Sequence, residues 1–304
     1  MRPLTQGGDH DGALDRVETR ALAHPRCRLG EGPAYDPARD TAWWFDILGK
    51  ALYEVPLSSG PVRRHELPVM ASALAFVDAD RQLLVAQDGL YLRGTQDGRM
   101  ELHRPLPAGP AAVRSNDARV HPCGTLWFST MGLKAEPGAG AIHAYRRGEI
   151  QTLFPGITVP NAICFSPDGG TGYFADTRRK RLQTVALDPQ SGLPTGEPET
   201  LVAYDGPGGL DGAVTDADGT IWCALWGAGA VIAFSPRGEV LRRLAVPARH
   251  PSCPAFVGPA FASMLVTSAY EGMDEAARAE DPQHGLSFVL DAGFRGKPEP
   301  RIRL

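Results

Sequence analysis

A turn that is followed by a short apolar run occurs six times along this chain. The turns are Asp36-Pro37, Asp78-Ala79, His121-Pro122, Ser166-Pro167, Asp216-Ala217 and Gly258-Pro259, at intervals of 42, 43, 45, 50 and 42 residues. A period of this length is typical of a propeller blade made of four strands. Six such blades account for most of the 304 residues. The repeat therefore predicts an all-β protein with the fold of a six-bladed β-propeller.

The runs that follow the six turns are short and rich in aromatic and β-branched residues. They are Ala42–Phe45, Leu83–Ala86, Leu126–Phe128, Gly172–Ala175, Ile221–Ala224 and Met264–Thr267. Because Gly, Pro and Asp bound them, they are predicted as strands rather than helical turns. The one helix-like stretch, Met273–Glu280, is predicted as a loop insertion in the last repeat.

An open ring of blades would expose unpaired strand edges. We therefore predict that a strand within Arg16–Ala23 pairs with the C-terminal repeat and closes the ring. Residues 1–15 are polar and contain glycine, so they are predicted to be a disordered tail. Residues 16–304 are predicted to form a single propeller domain.

Charge and composition exclude several classes of partner. The net charge is −4, and the Arg-rich run Arg178–Arg181 is short, so it is predicted as a solvated strand end and no nucleic acid is expected. No apolar run approaches the ~18 residues of a membrane span, and the N-terminus lacks a secretory signal pattern. The five cysteines are odd in number and widely spaced, which disfavours a disulfide framework. We expect a cytoplasmic protein without a membrane partner, either a monomer or a weak homo-oligomer.

One position of the repeat carries metal-binding oxygens in four of the six repeats. The residues five before each turn are Glu31, Ala73, Asn116, Asn161, Asp211 and Cys253. The first strand of every blade lines the central channel, so equivalent positions converge on one ring. Two carboxylates in a confined channel would repel each other unless a cation lies between them. The pattern predicts one divalent metal ion.

The ligand atoms favour a hard cation. Oxygen ligands select Ca²⁺, Mg²⁺ or Mn²⁺ over soft thiolate metals, although Zn²⁺ and Fe²⁺ are also open on this evidence. Three or four protein oxygens leave coordination positions for water or substrate, which favours a catalytic role. Two other interpretations stand beside this one: each Asn or Asp is an ordinary turn cap, or the metal is purely structural.

Six motifs occur in the order and spacing of a known family. They are Leu29-Gly30-Glu31-Gly32-Pro33, Arg114-Ser115-Asn116-Asp117, Phe128-Ser129-Thr130-Met131-Gly132, Pro160-Asn161-Ala162, Leu210-Asp211-Gly212 and Val266-Thr267-Ser268-Ala269. With these motifs the chain resembles the regucalcin (senescence marker protein) and gluconolactonase family from about Cys27 to Leu304. The resemblance implies a six-bladed propeller that hydrolyses sugar lactones.

The resemblance also implies roles for individual residues. Glu31, Asn161 and Asp211 would hold the metal, and Asp211 would also transfer the proton as the catalytic residue. Arg114 and Asn116 would bind oxygens of the lactone. Lys134 stands where vertebrate members carry a substrate-contacting Glu, so it is a candidate substrate-binding residue, with the nearby Glu136 as an alternative to it.

Two positions depart from the commonest family pattern. Leu210 stands where Pro is usual, and Ala162 stands where Gly is frequent. Both changes affect backbone shape rather than ligand chemistry.

The sequence predicts metal-dependent hydrolysis of a sugar-derived lactone to an aldonic acid. Ser129 lacks the Gly-x-Ser-x-Gly elbow, and no Gly-rich loop has nucleotide-binding spacing, so a serine nucleophile and a nucleotide cofactor are disfavoured. Two alternatives are a hydrolase of an aryl ester or phosphotriester, and a non-enzymatic propeller that binds calcium or another ligand.

Overall fold

The computed structural model describes residues 13–107 and 112–304. Within these ranges, six antiparallel sheets form the blades of a propeller. The chain enters through strand β1 (Glu18–Ala21), which belongs to the last blade. Blade 1 contains β2 (Gly30–Asp36), β3 (Thr41–Asp46), β4 (Ala51–Pro56) and β5 (Arg63–Glu66). Blade 2 contains β6 (Ala71–Phe76), β7 (Arg81–Ala86), β8 (Gly89–Gly94) and β9 (Met100–Pro105). Blade 3 contains β10 (Val113–Val120), β11 (Leu126–Gly132), β12 (Gly140–Arg146) and β13 (Glu149–Ile157).

The second half of the chain repeats this pattern with one addition. Blade 4 contains β14 (Pro160–Phe165), β15 (Thr171–Asp176), β16 (Arg181–Asp188), the two-residue β17 (Leu193–Pro194) and β18 (Glu199–Ala203). Blade 5 contains β19 (Gly209–Thr215), β20 (Ile221–Trp226), β21 (Ala230–Phe234) and β22 (Val240–Ala245). Blade 6 contains β23 (Pro251–Val257), β24 (Ser263–Ser268) and β25 (Phe288–Asp291). A 3-10 turn (Pro259–Phe261) and helix α1 (Glu275–Glu280) interrupt blade 6. The additional strand β17, which pairs with the end of β16 and precedes the fourth strand β18, accounts for the longer fourth interval.

The ring closes as the sequence predicts. Strand β1 pairs antiparallel with β25, with Glu18 opposite Asp291 and Ala21 opposite Phe288. The last blade therefore contains strands from both ends of the described chain, which leaves no unpaired blade edge at the junction. Residues 1–12 of the predicted tail lie outside the described residues. Asp15, the last residue of that predicted tail, pairs with Leu244 of β22 through a parallel bridge.

The first strand of each blade lies next to the first strands of its two neighbours, so β2, β6, β10, β14, β19 and β23 surround the central axis. All six strands contain a register shift. The shifts lie at Glu31/Ala34, Ala71/Ala73, Ser115/Ala118, Asn161/Cys164, Leu210/Ala213 and Pro251/Pro254. Each shift contains or borders the residue five before the turn. Because a bulge turns a side chain away from the regular alternation, it directs these positions toward the axis.

The core lies between adjacent blades and is built from their second and third strands. Its largest fully buried side chains include Trp44, Trp127, Tyr53, Tyr145 and Phe234. All five cysteines are free thiols, and four of them are buried, so no disulfide supports the fold. The stability of the ring therefore comes from apolar packing between blades and from strand pairing.

The C-terminal segment after β25 crosses the end of the ring opposite the cavity described below. Its backbone bonds to blade 5 through Ala217 N to Arg295 O (2.8 Å) and to blade 2 through Ile302 N to Phe76 O (2.9 Å). Between these contacts, Glu299 pairs with Arg119 of β10 at 2.6 Å. The segment thus covers the channel from one side of the ring to the other.

The predicted helical insertion is present as α1, with Asp274 as its N-cap. No helix in residues 13–107 and 112–304 is long and apolar enough to cross a membrane.

Candidate active site

One cavity of about 580 Å³ lies at the end of the channel opposite the C-terminal segment. It brings together every residue that the sequence indicates for the site. These are Glu31, Arg114, Asn116, Lys134, Asn161 and Asp211. The other two residues that lie five positions before a turn, Ala73 and Cys253, are buried and do not line the cavity. The oxygen-bearing members of the repeat position therefore face a common space.

Backbone shape aims the side chain of Glu31. Its neighbour Gly32 has φ 55°, and the Gly32 N–H donates to Glu31 Oε2 at 3.0 Å. A Cβ atom at Gly32 would overlap the carbonyl oxygen of Ser72 in blade 2. In blade 4 the equivalent residue, Ala162, has φ 54°. The left-handed conformation is therefore shared by the two bulges even though only one of them has glycine.

A chain of hydrogen bonds connects blades 3, 4 and 5. Arg114 Nη1 donates to Asn116 Oδ1 at 2.7 Å, and Asn116 Nδ2 donates to Asn161 Oδ1 at 2.9 Å. Asn161 Nδ2 then donates to Thr177 Oγ1 at 2.8 Å, and the Thr177 hydroxyl donates to Leu210 O at 2.6 Å. The chain fixes both amides, so the Oδ1 atom of Asn161 keeps one lone pair for a further partner.

Two of the three carboxyl groups of the cavity, those of Glu31 and Asp211, are buried and have no direct ion pair among the described residues. Burial, followed by the negative charge of Asp117, raises the pKa of Glu31 to about 8. Burial and then the charge of Glu31 raise the pKa of Asp211 well above its usual range, although Arg114 and the Gly212 N–H oppose this. A carboxylate pair in this position is therefore costly unless a cation compensates it.

Arg114 provides a positive charge on the wall of the cavity. Burial lowers the pKa of its guanidinium, and the carboxylates of Glu271, Glu31 and Asp211 oppose the shift. Besides its bond to Asn116, Nη1 donates to the Ser115 carbonyl at 2.9 Å. Arg114 is therefore held against the wall, where its remaining donors can bind an oxygen-rich ligand.

The Arg-rich run lies at the mouth of the cavity. Arg178 and Arg179 are exposed in the turn between β15 and β16, as expected for a solvated strand end. Arg178 and the half-buried Lys180 also line the cavity, whereas Arg179 pairs with Asp176 at 3.6 Å. The run therefore combines solvent exposure with a place on the cavity wall, which the sequence did not indicate.

The structure separates Lys134 from its alternative. Lys134 is exposed and lines the cavity, whereas Glu136 is not among the lining residues. Glu136 instead accepts a hydrogen bond from the Lys134 N–H through Oε2 at 3.0 Å. Glu136 therefore shapes the loop that carries Lys134.

The donor set fits a hard divalent cation. Glu31, Asn161 and Asp211 contribute two carboxylates and one amide oxygen to the same cavity, the donor chemistry that such ions bind. Burial first and neighbouring negative charge second raise the pKa values of both carboxyl groups, and a cation would compensate both effects. In the described part of the chain, no three His, Cys, Asp or Glu side chains come together as a metal site. This agrees with the proposed ligands, of which only Glu31 and Asp211 are carboxylates and the third is the amide of Asn161.

Sequence reasoning missed two polar residues of the cavity. Thr177 positions Asn161, and Glu271 faces Arg114. Trp226 forms part of the wall and stacks on His250 at 4.4 Å between ring centroids. Asp117, directly after Asn116, does not line the cavity; it is buried, and its Oδ2 accepts a hydrogen bond from the Ile163 N–H at 2.7 Å. The signal for Asp117 is its place inside the Arg114–Asp117 motif.

Comparison with known proteins places the chain in a family. Residues 29–270 match the profile of the SMP-30/gluconolactonase/LRE-like region. A candidate sugar lactone lactonase of Rhizobium meliloti is 49% identical over 286 residues, which cover 94% of this chain and 97% of that protein. A pentonolactonase of Haloferax volcanii is 30% identical over 281 residues, which cover 90% of this chain and 94% of that protein.

A solved structure confirms the fold. The calcium-binding protein regucalcin of Agrobacterium tumefaciens is 47% identical and superposes with a TM-score of 0.94, covering 96% of this chain and all of that one. The predicted six-bladed propeller and the predicted family are therefore confirmed. The prediction of a hydrolase acting on carboxylic esters is confirmed at the level of the family.

Proposed function

The chain belongs to the SMP-30/gluconolactonase/LRE-like family, and on this premise we propose that it hydrolyses a sugar-derived lactone to the corresponding aldonic acid, with one divalent metal ion as cofactor. The observation that carries the proposal is the convergence of Glu31, Asn161, Asp211 and Arg114 on one cavity. Similarity to a candidate sugar lactone lactonase and to a pentonolactonase supports the substrate class.

Glu31, Asn161 and Asp211 would hold the metal. When bound there, a divalent cation would supply Lewis-acid polarisation of the lactone carbonyl, an effect of several kcal/mol at the transition state. The all-oxygen donor set favours Ca²⁺, Mg²⁺ or Mn²⁺, with Zn²⁺ and Fe²⁺ as further candidates. The similar regucalcin of known structure is described as calcium-binding, which supports Ca²⁺.

Arg114, Asn116 and Lys134 would bind and orient the lactone. Arg114 and Asn116 are already bonded to each other at 2.7 Å, so they present a fixed set of donors without further ordering on binding. Lys134 lies on an exposed loop of the cavity, where its ammonium can contact a substituent away from the reacting carbonyl.

Asp211 would act as the general base. A carboxylate accepts the proton of a water molecule as the water oxygen attacks the carbonyl carbon of the lactone. The ester bond to the ring oxygen then breaks, and the proton returns to that oxygen to give the hydroxyl group of the aldonic acid. Burial raises the pKa of Asp211, and a bound cation would oppose this shift and keep the carboxylate in the ionised form that accepts a proton.

Separate substitutions of the base and of an orienting residue test these assignments. Asp211→Asn should lower kcat/KM for a hydrolysed lactone by ~100-fold or more, because it removes a base and a charged ligand together. Asn116→Ala should lower it by only about 10-fold, because it removes hydrogen bonds to the substrate and to Asn161. Proton release measured in weakly buffered solution gives both rates.

Metal content measured on the same samples separates the two roles. Equal losses in the two variants, with metal still bound to each, would contradict the assignment of Asp211 as the base. A panel that adds an aryl ester and a phosphotriester shows whether the reaction extends to other esters. Faster turnover of either of these than of every lactone would overturn the proposed substrate class.

A further inference from the structure

The charges on the cavity wall are unevenly distributed. Among its described lining residues, the acidic side chains are Glu31, Asp211 and Glu271, and the basic ones are Arg114, Lys134, Arg178 and Lys180. The three acids all act on the pKa of Arg114, so Arg114 and the carboxylates face one another. The other three cations stand apart from this group, on loops of blades 3 and 4.

These three cations, Lys134, Arg178 and Lys180, form the basic rim. None of them has an ion-pair partner within the described residues, whereas the adjacent Arg179 has one in Asp176. Lys180 donates to the Gly206 carbonyl at 3.0 Å and lies 5.9 Å from the centre of the Tyr204 ring, so its ammonium is positioned without being neutralised. Lys134 interacts with the Glu136 carboxylate through its charge, but that carboxylate lies outside the cavity lining. Three cations without a close ion pair around one cavity form an attractive field for an anion.

The backbone beneath the basic rim is fixed by local hydrogen bonds. The Arg178 N–H donates to Asp176 Oδ1 at 3.2 Å, and the Lys134 N–H donates to Glu136 Oε2 at 3.0 Å. Arg178 also follows Thr177, which accepts the hydrogen bond of Asn161. Arg178 is therefore connected to the candidate metal ligand Asn161 through Thr177 and keeps a defined position relative to it.

We propose, on the basis of the proposed function, that the basic rim selects sugar lactones that carry an anionic substituent remote from the reacting carbonyl. Carboxylate, phosphate and sulfonate share the chemistry that guanidinium and ammonium groups recognise. The carboxylate formed by ring opening does not account for the rim, since it arises beside the buried Asp211, whereas Lys134 and Arg178 are exposed. The basic rim is therefore suited to bind a negative charge that the lactone already carries before its ring opens.

Matched pairs of lactones test this specificity in the full-length, metal-loaded protein. D-Glucaro-1,4-lactone is compared with D-glucono-1,4-lactone, and 6-phospho-D-glucono-1,5-lactone with D-glucono-1,5-lactone. The specificity ratio is defined as kcat/KM of the anionic lactone divided by that of its neutral partner. We expect a ratio of about 10 or more in at least one pair, which falls as salt increases because exposed charges are screened.

Charge-removing variants locate the effect. Arg178→Gln and Lys134→Gln should each lower the specificity ratio by about fivefold, the upper end of what one exposed ion pair contributes. Arg179→Gln removes the same charge one residue away, outside the cavity, and should leave the ratio unchanged. Calorimetric titration with D-glucarate and D-gluconate provides a readout that is independent of turnover. The variant that carries both Arg178→Gln and Lys134→Gln should lose the preference for D-glucarate.

The outcomes separate this inference from the proposed function. Opening of the neutral lactones with a specificity ratio of 1 or less would overturn the inference and leave the lactonase proposal intact. A ratio that falls equally in Arg179→Gln would also overturn it, because the effect would then come from overall charge. Opening of none of the four lactones would contradict the proposed function and this specificity together.

Discussion

At the scale of single residues, Gly32 determines where a candidate metal ligand points. It combines a left-handed φ of 55°, an N–H that donates to Glu31 Oε2, and a close approach to the Ser72 carbonyl. The left-handed φ alone would tolerate alanine at a cost, as Ala162 shows at the equivalent place in blade 4. The close approach to the Ser72 carbonyl excludes a side chain, because a Cβ atom would overlap the backbone of blade 2.

Gly32→Ala should therefore reduce both stability and metal binding. The left-handed conformation and the overlap together should lower the free energy of unfolding by about 2–5 kcal/mol. Metal affinity should fall because the backbone shift moves Glu31. Chemical denaturation and calorimetric metal titration measure the two effects.

Gly156→Ala is the matched control for this substitution. Gly156 has φ 77°, but no atom lies within 4 Å of a Cβ placed there. Gly156→Ala should lower the free energy of unfolding only by the cost of the left-handed conformation, about 1–2 kcal/mol, and the variant should bind metal normally. Equal losses of stability in the two variants would show that the contact with Ser72 contributes nothing.

The residues of the site differ in how well the sequence could reveal them. Glu31, Asn161 and Asp211 lie on inner strands, where a shared repeat phase places them around one axis. Glu271 and Trp226 lie at loops and strand ends, whose length varies between blades. A loop residue has no fixed phase, so counting along the chain does not place it in the cavity.

At the scale of elements, the C-terminal segment has a role that the sequence did not indicate. The repeat pattern ends with blade 6, and the residues after β25 show neither strand alternation nor helical period. Their position comes from tertiary contacts, among them the pair of Arg119 and Glu299. Because such contacts join distant parts of the chain, local sequence patterns carry no signal for them.

Removing the carboxylate of that pair should destabilise the propeller. Arg119 is buried and also donates to the Ala213 carbonyl at 2.9 Å, so Glu299→Ala leaves a buried charge without its counterion. We expect a loss of about 3–5 kcal/mol in the free energy of unfolding, measured by chemical denaturation.

A second ion pair on the same segment provides the control. Arg295 and Asp218 approach to 2.9 Å, but both side chains are exposed. Asp218→Ala should cost at most ~1 kcal/mol, because solvent screens an exposed pair. If Glu299→Ala were no more harmful than Asp218→Ala, the C-terminal segment would not anchor the ring through Arg119.

At the scale of the whole molecule, the junction between blades 6 and 1 contains a neutral histidine. His24 Nε2 accepts the Ser287 N–H at 3.0 Å, and its Nδ1 donates to the Pro25 carbonyl at 2.7 Å. Its ring lies 5.0 Å from that of Trp44. Burial lowers the pKa of His24 to about 4, although the Pro25 carbonyl and the charge of Asp46 oppose the shift.

This histidine should make ring closure sensitive to acid. An unfolded chain binds the proton below pH ~6.5 and the folded chain only below pH 4, so the stabilisation is complete above 6.5 and is lost as the pH falls toward 4. Between pH 7 and 4.5, His24→Asn should lose about 2–3 kcal/mol less stability than the parent protein. Denaturant unfolding across this range measures the difference.

The comparison has an internal control. Between pH 7 and 9 His24 is neutral in both the folded and unfolded states, so the stability difference between parent and variant should stay constant there. A difference that is equally constant between pH 7 and 4.5 would show that His24 titrates normally in the folded protein.

The ring architecture itself is what the sequence predicts best, because six turns at nearly equal spacing leave few alternatives to a closed propeller. The predicted closing strand within Arg16–Ala23 is confirmed by the pairing of β1 with β25. The chemistry at the axis follows from that closure, since only a complete ring brings Glu31 of blade 1 near Asp211 of blade 5. Fold and candidate site are thus linked through closure.

The most direct test of the central claim is lactone hydrolysis by metal-stripped protein before and after the separate addition of Ca²⁺, Mg²⁺, Mn²⁺, Zn²⁺ and Fe²⁺. D-Glucono-, L-arabinono- and D-xylonolactone are the substrates, and proton release is the signal. We predict that stripping abolishes ring opening, that at least one cation restores it, and that no cation restores it in Asp211→Asn. Full activity in the stripped protein, or no ring opening with any cation and lactone, would contradict the account.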